Sequence, residues 1–191
     1  MKSYRPSQFV AVYHPLVRTL HWLMALLIFG ALGLGVWSTQ LPRGDARGEV
    51  LFVHKSIGVA VLALIVLRIV ARLALGSPPY AVALDRLVHA SAQAAHGLLY
   101  LLMIALPVSG YVMSSAGGHD VSFFGLFTLP PLVSPDKALA ASADEAHYVF
   151  AWAIGVVLVL HLAAVVWHGW LKRDTVLTRM WPRFQPSARA R

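Results

Sequence analysis

Residues 147–170 read HYVFAWAIGVVLVLHLAAVVWHGW, an apolar stretch without Asp, Glu, Lys or Arg that carries His147, His161 and His168 at intervals of fourteen and seven residues. The stretch is long enough to cross a bilayer as a helix. Fourteen residues turn a helix almost four times, so His147 and His161 share a face about 21 Å apart along the axis. An imidazole inside hydrocarbon needs partners for its ring nitrogens. Two of them stacked on one face are either hydrogen-bonded packing residues or ligands to two metal centres at two depths.

Composition sets the class. Hydrophobic residues make up 58% of the 191 and charged residues 13%, with a mean hydropathy of +0.67. That balance is foreign to soluble domains and predicts an integral membrane protein. With no Cys, the chain has no disulfide, no thiolate-ligated iron–sulfur cluster and no covalent haem attachment through a C-x-x-C-H motif. The net charge of +8 sits beside apolar spans and in a short tail, so membrane topology accounts for it and nucleic acid does not.

Four spans are expected, roughly 19–40, 50–75, 87–115 and 146–171, within a single domain covering 1–191. The first ends in VWSTQLP without a small-x-small cleavage site and reads as a retained helix. In the second, only the dozen residues between Lys55 and Arg68 are uncharged. The connector GSPPYAVALD ends the second helix at its prolines. In the third, Pro107 and Gly110 predict a distal kink. Residues 117–146 form the longest connection, in which Ser134, Pro135 and Asp136 predict the start of a short surface helix. The amino-terminal segment, the second connection with its helix ends, and the tail hold twelve of the sixteen basic residues. Both termini are therefore expected in the cytoplasm.

Alternating helix directions then assign depth. His54 and His147 fall in the outer half, His21 and His161 in the inner half. Each pair is placed to ligate one iron from both sides, which closes the metal to substrate and suits electron transfer. No carboxylate lies inside a span, which disfavours zinc or di-iron sites and carboxylate proton relays and leaves haem as the better fit. Gly58, one turn from His54, clears space for a porphyrin. Arg68 lies fourteen residues after His54 and is a candidate partner for a haem propionate, with snorkelling to the surface as the competing reading. His96 enters the third helix from the inner side and is the rival to His21 as ligand or a neighbour of the inner site. His89 and His168 are read as interfacial, His14 and His119 as ordinary surface residues. The tryptophans near the span ends are read as an aromatic belt.

These residues together resemble the bacterial cytochrome b561 family of four-helix di-haem membrane proteins, which includes superoxide oxidase. The resemblance runs through R-x-x-HW at Arg18 to Trp22, HKSIG at His54 to Gly58, and VLRIVARL at Val66 to Leu73. It continues through HGLLYLLMIALPVSG at His96 to Gly110, FGLFTLP at Phe124 to Pro130, the His147 and His161 pair, and DTVLTRMWP near the end. It implies an all-α membrane bundle holding two b haems on His21, His54, His147 and His161, located in the bacterial inner membrane among lipid and exchanging electrons with ubiquinone. It further implies that superoxide gives an electron at the outer face, with Lys55 beside His54 as a candidate for its entry. The alternative is a relay subunit between the quinone pool and a periplasmic redox partner.

Overall fold

The computed structural model describes residues 11–78, 86–174 and 176–181. Pro79 to Asp85 of the second connection, Thr175, and the basic residues Lys2, Arg5, Arg183, Arg189 and Arg191 lie outside the described residues. Four long helices account for most of the rest: α1 Pro15–Gln40, α2 Asp45–Leu75, α3 Arg86–Ala116 and α4 Lys137–Val166. A two-stranded hairpin, β1 Val121–Phe123 and β2 Phe127–Leu129, lies between α3 and α4. All four helices are long and apolar enough to span a membrane. Their apolar residues point outward as well as inward, with Leu26, Leu73 and Val159 largely exposed, as expected where lipid is the solvent.

Local chemistry sets the helix ends. Pro15 occupies the first turn of α1, where its missing N–H costs nothing, and the His14 side chain accepts from Leu16 N–H at 3.3 Å. Gly76 closes α2 at φ 65°, donating its N–H to Arg72 O. Asp136 caps α4, accepting from the N–H groups of Ala138 and Leu139. From there the helix continues unbroken. The surface helix expected after Ser134 is therefore the first part of α4, because the Asp136 cap starts a helix that has no breaker before the span. Pro107 lies inside α3.

Packing is uneven. Helix α1 packs on α2, α2 on α3, and α3 on α4, whereas α4 has no comparable contact with α1 or α2 among the described residues. Met24, Ile28, Val61, Ile65, Leu99, Leu102, Ile154 and Val157 form the central core. At the end where α1 begins, the segment after α4 folds back. Trp22 Nε1 donates to Met180 O and Arg18 to Trp181 O, each at 3.0 Å, and Trp22 meets Trp181 edge to face. These two tryptophans, expected only as belt residues, also dock this segment.

Ser56 ties the hairpin to α2. Its fully buried hydroxyl lies 2.9 Å from both Phe52 O and Ser122 O and accepts from Phe124 N–H at 3.0 Å. Ser56→Ala removes the partners of the part-buried Ser122 and Phe124 backbone groups and should destabilise the protein by about 1–3 kcal/mol. Thermal unfolding in detergent measures the loss, and limited proteolysis should show earlier cleavage between α3 and α4.

Candidate haem-binding site

Each helix presents two special residues fourteen positions apart: His21 and Gly35 on α1, His54 and Arg68 on α2, His96 and Gly110 on α3, His147 and His161 on α4. Because fourteen residues nearly restore the helical phase, the eight form two layers. One contains Gly35, His54, Gly110 and His147. The other contains His21, Arg68, His96 and His161. The apolar core lies between them, since its members fall between the paired positions on all four helices.

In the first layer the His54 and His147 ring centres are 6.1 Å apart. His54 Nδ1 is 2.9 Å from Ala31 O, and His147 Nδ1 is 2.9 Å from Leu106 O, with Ser109 Oγ at 3.2 Å. A carbonyl only accepts, so each Nδ1 carries the proton and each Nε2 keeps its lone pair, the tautomer a metal ligand requires. Gly35 and Gly110 make room for the rings. A Cβ at Gly35 would stand 3.2 Å from His54 Cε1, and one at Gly110 would stand 2.9 Å from His147 Cε1. At Gly58, where the sequence suggested clearance for a porphyrin, a Cβ would meet only Pro107 at 3.9 Å. The crowded glycines are on other helices.

In the second layer the His21 and His161 ring centres are 6.4 Å apart, and His96 lies 5.6 Å from His161. Arg68 is buried, donating to Val17 O at 3.1 Å and contacting His21 Nδ1 at 3.3 Å. A guanidinium only donates, so Nδ1 of His21 accepts here and the neutral ring carries its proton on Nε2. His21 is thus held in the opposite tautomer from His54 and His147. Of the two readings of Arg68, the structure places its guanidinium in the protein interior.

These residues fit haem iron by separation. A metal–nitrogen bond of about 2 Å on each side, plus the distance from each nitrogen to its ring centre, spans about 6 Å. Helices α3 and α4 are packed closely together, whereas α1 and α4 approach each other at few points among the described residues. Lys55, beside His54, donates to Asp120 O at 3.3 Å. His168 Nδ1 lies 2.5 Å from Asp174 at the other end. Gly35 escaped the sequence reading and Gly110 was read there only as part of a kink, although their spacing from His21 and His96 was a signal for this role.

Residues 12–183 match the family described as prokaryotic cytochrome b561. The chain is 32% identical over 161 residues to cytochrome b561 homolog 2 of Escherichia coli, an alignment covering 84% of this chain and 86% of that protein. It is 30% identical over 168 residues to the probable superoxide oxidase CybB of Yersinia pestis, covering 86% and 92%. It is also 30% identical over 173 residues to cytochrome b562 of Cereibacter sphaeroides, covering 88% and 94%. The chain belongs to the prokaryotic cytochrome b561 family, and with it to the membrane electron-transfer proteins that bind haem b.

Proposed function

We propose that the chain holds two b haems, one between His54 and His147 and one between His21 and His161, and passes electrons from superoxide to ubiquinone as a superoxide oxidase. The observation carrying this reading is the pair of neighbouring imidazoles at each of two depths, one member of each pair on α4 and the other on α1 or α2. His54 with His147 and His21 with His161 would hold the haems, which would supply one-electron transfer rather than oxygen activation. The protein's part is to hold and tune them. Ala31 O and Leu106 O fix the tautomers of His54 and His147. Arg68, buried beside His21, would offer a cation to a propionate, and ligation of His21 through Nε2 would require its Nδ1 to carry the proton.

In the overall reaction two superoxide anions are oxidised to dioxygen while ubiquinone takes up two electrons and two protons to become quinol. Lys55 contributes positive charge next to His54, where it favours arrival of an anion. The distribution of basic residues supports an orientation with both termini in the cytoplasm and the His54 and His147 layer toward the periplasm. The probable superoxide oxidase CybB among the relatives supports the reaction class.

Pyridine-haemochrome analysis should give two haems per polypeptide. Single substitutions to Ala should form two classes: at His54 or His147 they remove one haem, at His21 or His161 the other, while His96→Ala removes neither. A His96 variant that loses a haem spared by His21→Ala would reassign the ligand.

Gly110→Ala should act on the His147 site selectively. The added methyl displaces the His147 ring, so occupancy of that haem should fall several-fold with the other spectrum unchanged. Gly97→Ala is the control, because a Cβ there meets nothing within 4 Å.

Superoxide added to the purified protein with a soluble ubiquinone analogue should yield quinol without another protein. Absence of superoxide-driven haem reduction, with both haems present and reducible by dithionite, would leave the relay to a periplasmic partner as the function.

A further inference from the structure

The segment from Val121 to Pro135, fifteen residues, carries no charge, whereas Asp120 and Asp136 bracket it. Such a stretch is unusual for a loop surrounded by water. Val121 is buried, but the apolar side chains around the tip are turned outward, with Leu126 76% exposed, Phe127 56% and Phe124 45%. The hairpin pairs Val121 with Leu129, Ser122 with Thr128 and Phe123 with Phe127. At its tip Phe124 has φ 49° and Gly125 φ 74°, and Leu126 N–H donates to Phe123 O. Positive φ at both central positions is what a primed hairpin turn needs. Glycine takes it without strain, but phenylalanine does not. An aromatic side chain is kept where Asn or Gly would fold more easily.

The attachment sets the level of the tip. Phe124 N–H and Ser122 O are satisfied by Ser56, and a Cβ on Gly125 would touch Phe52. The first three turns of α2 contain Asp45, Arg47, Glu49 and Lys55, and its uncharged stretch begins at Ser56. The tip therefore lies where α2 passes from charged to apolar surroundings, the boundary between headgroups and hydrocarbon in a spanning helix. Ser56 is 200° around the helix from His54 at 100° per residue, so the hairpin lies away from the histidine layer. Non-helical backbone near lipid must have its polar groups satisfied. Hydroxyls from the helices do this, with Ser56 holding the tip, Tyr111 donating to Pro130 O, and Ser115 accepting from Leu132 N–H.

We propose that this hairpin is a membrane anchor, its Phe124, Leu126 and Phe127 side chains seated in lipid at the headgroup and acyl boundary. Apolar and aromatic side chains at that level bind by the area they bury. The anchor fixes the connection between α3 and α4 against the bilayer rather than leaving it free in water. It does not depend on which haem ligands are correct or on the substrate.

The chain has no Cys, so one introduced cysteine gives one spin label. The full-length haem-loaded protein would carry Leu126→Cys or Phe127→Cys with a nitroxide, in phosphatidylcholine and phosphatidylglycerol vesicles. Ala141→Cys, on the exposed early turns of α4, serves as the control. Power-saturation electron paramagnetic resonance compares collisions with oxygen, enriched in lipid, against a nickel chelate confined to water. The oxygen-to-nickel ratio should be several-fold higher at 126 and 127 than at 141. Ratios equal to that at 141 would put the tip in water, open to a soluble partner, and overturn the proposal. Low accessibility to both reagents would place the tip against protein, as in a contact with a second copy, and overturn it equally.

Discussion

A polar side chain inside an apolar span has to be satisfied within the protein, because the surrounding lipid offers neither donor nor acceptor. In this chain that requirement is met in two layers. His54 and His147 each direct Nδ1 at a carbonyl of a neighbouring helix, and Arg68 meets Val17 O and His21. The carbonyl partners leave both Nε2 atoms of the first layer free to bind metal. Thus the partners that make burial tolerable also set the chemistry of the rings.

The two layers are not equivalent. Where the first has Gly35 and Gly110, the second has His21 and His96 at the matching helical positions. Two glycines leave room for rings, and a Cβ on either would press on a histidine. The second layer instead crowds three imidazoles around one guanidinium. Between them the core from Met24 to Val157 keeps the polar layers apart. Helix α4 carries one histidine for each layer while packing mainly on α3.

Outside the span the same economy is visible in the connections. Ser56, Tyr111 and Ser115 satisfy backbone groups of the α3–α4 connection, and Arg18 and Trp22 hold the segment after α4 at the opposite end. Side chains on the helices thus complete the hydrogen bonding of chain that is not helical.

The sequence alone determined the class of fold and the existence of two depths, because both are properties of a single helix. Apolar length gives the spans, and the fourteen residues from His147 to His161 give the rise between layers. It also brought His21, His54, Arg68 and His96 forward, since polar groups in apolar surroundings stand out by type. Only the tertiary structure decided which neighbours they meet. Ala31 O and Leu106 O are backbone atoms with no signature in the residue name, and Gly110 matters because His147 from another helix approaches it. The packing of α3 against α4, which brings His96 as well as His21 beside His161, depends on contacts between helices that no single-helix period encodes. The hairpin was hidden for the same reason: its strands are three residues each, too short for a periodic pattern, and Ser56 on a distant helix holds it in place.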